Sequence, residues 1–254
     1  MSEPDRADLP DTVAVAWGVR GRPHKGPRPG LSLERIVAAA IRVADADGLA
    51  AVSMSRVATA LGTAPMSLYR YVAAKDELLA LMVDAAYGPP PSGPLPSGPA
   101  ADTRWRAGLS RWAWAMRAGV QRHPWVLRIP ISGLPTLPNE VAWFEEGLRC
   151  LQDTGLEENQ KASAVLLVSG YVRNAASIDA DIEAAVRASG KTPDEWMSSY
   201  ARTITTLADP QRFPALTKFI ASGVFDRADP PDDEFAFGLD RILDGLAALI
   251  RTRP

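Results

Sequence analysis

Between Ser53 and Lys75 the chain gathers hydroxyls, phenols and cations at close spacing: Ser53, Ser55 and Arg56, then Ser67, Tyr69, Arg70, Tyr71 and Lys75. Such groups hold phosphate oxygens, and an arginine can also give two parallel hydrogen bonds to the major-groove edge of guanine. Pro65 and Met66, just ahead of the second group, offer only apolar contact of the kind a thymine methyl accepts. The chemistry implied is recognition of duplex DNA. Bond making is not expected: there are only two histidines, His24 and His123, and no HExxH, CxxC, GxSxG or phosphate-binding glycine loop. Asp179, Asp181 and Glu183 read as a solvated helix face. No catalytic residue, metal or cofactor is therefore expected.

Charge supports the same reading once it is located. The 254 residues carry a formal net charge of −2, which evenly spread would argue against a polyanionic partner. Over residues 12–75, however, 9 Lys and Arg stand against 3 Asp and Glu, net +6. A locally basic domain attracts the phosphate backbone whatever the total. Part of this charge lies in Arg20, Arg22, Lys25 and Arg28, set in a Pro- and Gly-rich tract without helical period. Residues 1–30 are read as a disordered basic arm able to follow a minor groove.

The elements that must position the Ser53–Lys75 groups follow from apolar spacing. Ser32 caps a first helix to Asp47, with Ile36, Val37, Ala40, Ile41 and Ala44 on one face, and Gly48 stops it. Ser53 caps the next helix, where Val57, Ala58 and Leu61 face inward and Gly62 ends the run. Thr63-Ala64-Pro65 is a turn, and a second short helix, starting at Pro65 or Met66 and running to Val72, buries Leu68 and Val72. A helix of about two turns does not stand alone, so it must be held by its neighbours. Lys75 opens a fourth helix ending near Tyr87. Six prolines and three glycines between Gly88 and Pro99 then forbid helix, so the head is assigned to 31–88, a linker to 89–100 and a second domain to 101–254.

The second domain also reads as helical, making the chain all-α. Trp105, Leu109, Trp112, Ala113, Met116 and Val120 share one face of a helix that His123-Pro124-Trp125 breaks. Helices follow over 140–152, 157–189, 193–207 and 213–222, and a last one runs from Asp232 or Asp233 to Ile250. The 157–189 helix carries small residues (Ser169, Gly170, Ala175, Ala176) that permit close approach of another helix. In the last helix Phe235, Leu239, Ile242, Leu243, Leu246, Leu249 and Ile250 make a stripe too long for one intrachain neighbour. These two helices are expected to build a homodimer as a four-helix bundle. Six of the seven tryptophans lie beyond the linker. Trp105, Trp112, Met116, Trp143, Phe144, Tyr171, Arg173, Asn174, Trp196 and Tyr200 are the candidate lining of an apolar pocket for a flat or hydrophobic molecule. No apolar run reaches 18 residues, the first 30 residues lack a secretory apolar core, and the lone Cys150 suits a reducing compartment, so a cytoplasmic protein without membrane attachment is expected.

Val57-Ala58, Leu61-Gly62, Ser67-Leu68-Tyr69, Tyr71 and Lys75-Asp76-Glu77-Leu78-Leu79 carry a specific likeness. From about Leu33 to Tyr87 the chain resembles the DNA-binding domain of the tetracycline-repressor (TetR) family. The His-Pro-Trp step and the late FGLDRILDGL helix are similar to that family's C-terminal domain. The resemblance implies a homodimeric repressor that holds double-stranded operator DNA and is released by a small-molecule inducer. By position it gives Ser67, Tyr69, Tyr71 and Lys75 mostly phosphate contacts, Ser53, Ser55 and Arg56 backbone contacts, and Arg70 a base-reading place. Tetracycline repressors chelate a magnesium–drug complex through a histidine. Pro130 stands at the matching position, so an inducer bound without that metal is expected. The alternative is a helical sequestering protein with a vestigial helix-turn-helix.

Overall fold

The computed structural model describes residues 9–19, 31–94, 101–131, 133–225 and 232–252, and all regular structure among them is helical. Helix α1 (Asp11–Ala16) precedes the head, which comprises α2 (Leu33–Asp47), a 3-10 turn (Leu49–Ala51), α3 (Met54–Ala60), α4 (Pro65–Leu68) and α5 (Lys75–Tyr87). The trunk holds α6 (Ala101–Arg122), a 3-10 segment (Pro124–Arg128), α7 (Pro138–Cys150), α8 (Glu158–Ser189), α9 (Pro193–Leu207), α10 (Pro214–Ala221) and α11 (Asp233–Arg251).

The head forms where the apolar spacing places it. The Ser32 and Ser53 hydroxyl oxygens each accept a hydrogen bond at 3.2 Å, from the Arg35 and Arg56 amides. Each such cap contributes about 1 kcal/mol. Ile36, Val37, Ala40 and Ala44 of α2, Val57 and Ala58 of α3, and Leu68 and Val72 close with Leu78, Leu81 and Met82 of α5 into one core. Trp125 and Val126, from the trunk's 3-10 segment, are buried in that same core. The head is thus completed by the trunk.

In the trunk, α6 turns Trp105, Leu109, Trp112, Ala113 and Met116 against Trp143 of α7, Val165, Val168 and Val172 of α8, and Phe235, Leu239 and Leu243 of α11. Arg117 of α6 is buried as well. It pairs with Asp179 of α8 and Asp232 at the start of α11, and its guanidinium lies over Phe235, 4.6 Å from the ring centroid. Burial opposes its charge, but the hydrogen bonds to Asp232 and Asp179 prevail and hold its pKa above the ordinary arginine value. Three helices are pinned through one cation.

Four features differ from the sequence reading. Residues 11–16 are helical where a disordered arm was expected: Ala14 is buried, Ala16 packs on the head core, and the Trp17 indole donates to the Thr136 carbonyl at 2.8 Å. A six-residue helix too short to stand alone is held by those contacts. The recognition helix is shorter than Met66–Val72. It spans Pro65–Leu68, and hydrogen-bonded turns back to the Leu68 carbonyl carry the chain to Val72. Phe235, Leu239, Leu243 and Leu246, assigned to a dimer seam, are buried inside the protomer because α6 and α8 supply the missing neighbours. Within the protomer the close approaches fall at Gly147, facing Val165, and at Gly238, facing Tyr171, neither of which the sequence reading singled out.

Candidate nucleic-acid interface and ligand-binding trunk

Helix α3, the turn at Gly62 (φ +65°) and α4 carry Ser55, Arg56, Pro65, Met66 and Ser67 of the predicted DNA-contact groups. A positive φ at that turn is free for glycine and strained for other residues. Leu68 and Val72 are fully buried beneath α4 and the turns after it, which leaves Pro65, Met66, Tyr69 and Arg70 exposed above. Met66 is 73% exposed, a high value for an apolar side chain at the tip of a motif. Arg70 and Lys75 make no ion pair or hydrogen bond among the described residues, so both cations are available to a partner.

The remaining predicted contacts are more constrained. Ser67 is half-buried, and Tyr71 packs on the head core and leaves only part of its surface to DNA. Ser53 and Ser55 are exposed at the start of α3, the Ser53 oxygen already accepting from the Arg56 amide. Arg56 is exposed but paired with Asp47 at 2.8 Å. Arg20, Arg22, Lys25 and Arg28 lie outside the described residues.

The candidate ligand residues do not converge on one place. Trp105, Trp112, Met116 and Trp143 sit together in the trunk core, with Phe144 at its edge. The Trp112 indole donates to the Trp143 carbonyl and the Trp143 indole to the Gly88 carbonyl, both at 2.9 Å, and the two rings meet edge to face at 5.9 Å. Tyr171 stacks on Phe235 at 5.4 Å and donates to the Phe235 carbonyl. Its burial, then nearby Glu234, raise the phenol pKa. Arg173 donates to the Tyr87 hydroxyl at 3.1 Å, and Asn174 is exposed. Trp196 and Tyr200 stack on each other at 6.2 Å in a separate aromatic group with Phe219 and, in the turn after α10, Phe225; α9 and α10 bury no residue.

Two contacts that the sequence did not disclose join head to trunk. Asp84 of α5 is buried, and its carboxylate accepts from the Asn139 amide and side-chain nitrogen at 2.9 Å and from the Glu140 amide at 3.0 Å. It thereby caps α7, whose own N-cap residue, Leu137, has no side-chain acceptor. Asp45 of α2 accepts from the Trp125 indole at 2.7 Å and stands 2.8 Å from His123 Nδ1. The signal available in the sequence was the acid itself, placed in an otherwise apolar stretch of α5 with no basic neighbour on its helix.

Residues 36–82 match the family described as "Bacterial regulatory proteins, tetR family", and residues 98–250 match "Tetracyclin repressor-like, C-terminal domain". The chain belongs to the TetR family. The HTH-type transcriptional repressor DrrR1 of Streptomyces coeruleorubidus is 38% identical over 246 residues, 97% of this chain and 88% of the relative. ActR of Streptomyces coelicolor without ligand has a similar structure, with a TM-score of 0.70 and 27% identity over 89% of this chain and 99% of that one. ActR in complex with actinorhodin aligns with a TM-score of 0.71 and 26% identity over 87% of this chain and 97% of that one. As a TetR-family member the chain is a DNA-binding transcriptional regulator, with an N-terminal helix-turn-helix and a C-terminal ligand-binding domain. Among the described residues no helix is long and apolar enough to cross a membrane.

Proposed function

We propose that this TetR-family chain is a homodimeric, non-enzymatic repressor that grips operator DNA through the exposed side chains after Pro65 and releases it when a small aromatic molecule enters the trunk. The observation that carries the reading is the pair of cations, Arg70 and Lys75, without a partner among the described residues, beside a recognition turn whose inner face is fully buried. Arg70 reads a guanine edge, Met66 with Pro65 meets a thymine methyl, and Ser53, Ser55, Arg56, Ser67, Tyr69, Tyr71 and Lys75 hold phosphates. The arm carrying Arg20, Arg22, Lys25 and Arg28 adds charge in the minor groove.

The occupant of the trunk is a flat, largely apolar molecule, and the binding of actinorhodin by ActR supports that class. Trp105, Trp112, Met116, Trp143 and Phe144 are the residues it displaces or stacks on, with Tyr171 and Arg173 beside the same core, while Asn174, Trp196 and Tyr200 stand apart from it and are left out of the site. No metal is assigned a part in holding it. Dimerisation uses what the protomer leaves outside, namely Leu166, Leu167 and Ile178 on α8 and Phe237 and Leu249 on α11, all exposed. A dimer places two heads in successive major grooves about 34–36 Å apart. An inducer acts by binding better to the dimer whose heads no longer match that spacing. A gel-shift titration with the DNA upstream of the chain's own gene tests the reading. A discrete shift competed by the same duplex but not by random DNA is expected, and it would set aside the sequestering-protein alternative.

A further inference from the structure

Residues 123–126 after α6 and residues 139–140 in the first turn of α7 are both seated on the head. At one end the Asp45 carboxylate holds Trp125 and His123, and Trp125 and Val126 fill the head core. At the other end the Asp84 carboxylate caps α7 through Asn139 and Glu140. Both carboxylates belong to helices of the head, α2 and α5, and neither lies among the groups that face DNA. Between these ends Arg128 makes an exposed ion pair with Asp181 in the last third of α8. From α7 the Trp143 indole reaches back to the Gly88 carbonyl that ends α5.

Hydrogen bonds from several directions to a carboxylate define an orientation as well as a distance. A charge-assisted cap at a buried helix end costs more to break than an exposed ion pair. The Asp84 cap is of that buried kind, whereas the Asp45 carboxylate is 36% exposed and holds two side chains, His123 and Trp125; docked at both points, the head cannot pivot about either one alone. In a dimer built on the trunk, the angle and separation of the two heads are then set by these two seats. We propose that Asp45 and Asp84 are the positioning residues that fix which operator half-site spacing the dimer accepts, although neither touches DNA. This rests on the homodimeric, operator-binding reading above.

The test uses the full chain and an operator selected from random duplexes, together with versions carrying one base pair added or removed between the half-sites. One base pair moves a half-site by about 3.4 Å and turns it by about 35°. The unaltered protein is expected to lose about tenfold or more in affinity on the altered spacings, within the usual range of coupling between sites. Asp84→Ala and Asp45→Ala are each expected to cut that spacing penalty to about threefold or less, while the preference among bases within a half-site is unchanged. Leu243→Ala, a cavity in the trunk core at a residue that bonds to neither carboxylate, supplies a control that lowers thermal stability. It should leave the penalty intact. A spacing penalty in both Asp variants equal to that of the unaltered protein overturns the inference, as does a Leu243→Ala protein that relaxes spacing equally. Failure of the unaltered protein to select any operator would instead count against the regulator reading itself.

Discussion

Arg70 and Lys75 carry the same charge but have different places, and their substitutions should separate. Arg70 follows α4 without an ion pair or hydrogen bond among the described residues, and the proposed function has it aim two donors at one base. Arg70→Ala is expected to remove about 1–3 kcal/mol of discrimination at one base pair per half-site. Lys75, the first residue of α5, is assigned to a phosphate in the proposed function, so Lys75→Ala should weaken all sequences alike and reduce the salt slope by about 1. Binding to a panel of single-base operator variants at several salt concentrations distinguishes the two. Cys150 offers a second check. Burial pushes its thiol up to about 11. The unfolded chain therefore loses this proton at lower pH than the folded one, so stability is retained below the ordinary thiol pKa and falls as pH rises from about 9 towards 11. The loss across that window amounts to about 2–3 kcal/mol at most. Denaturant unfolding of Cys150→Ala should show a flatter decline over the same range, and the native thiol should resist thiol reagents at neutral pH.

At the scale of the element, Gly238 of α11 is where Tyr171 of α8 crosses. A Cβ there would stand 2.2 Å from the Tyr171 hydroxyl and 2.6 Å from its Cζ. Gly238→Ala is expected to cost about 1–3 kcal/mol by overpacking, and Tyr171→Ala in the same chain should recover much of that cost. Thermal unfolding of the two single variants and the double variant measures it. Gly62, with no such contact but a φ of +65°, should lose about 1–2 kcal/mol as Gly62→Ala from backbone strain alone. Most helices were legible because local signals fix them: Ser32 and Ser53 capped where expected, α5 runs from Lys75 to Tyr87, and α9 from Pro193 to Leu207. Helix α1 was not legible, since six residues without a marked period owe their order to Thr136 and the head core, which lie far along the chain. Partners of this kind leave no periodic trace. The same holds for Asp84, whose role as a cap depends on a helix that begins more than fifty residues later. Apolar patterning also could not say which face of α11 meets its own protomer, and so the stripe through Leu239 and Leu243 was assigned outward when α6 and α8 bury it.

For the whole molecule, the account joins three parts: a basic head, a trunk with an aromatic core, and a second copy of the chain. Leu166 and Phe237 are 70% and 64% exposed in the protomer, so replacing them does not disturb its core. The double variant Leu166→Glu, Phe237→Glu is expected to sediment as a monomer with an unchanged helical spectrum. Its operator affinity should fall by about a hundredfold or more, because one head alone makes half the contacts. A variant that stays dimeric would move the interface to another face. The most direct measurement is an affinity titration of the purified chain against its own upstream DNA, run in parallel for the unaltered protein and for Arg70→Ala. The account predicts saturable binding by two protomers per site, with Arg70→Ala losing its preference over random duplex at one position in each half-site. Binding of equal strength to specific and random DNA by both proteins, or none at all, would contradict it.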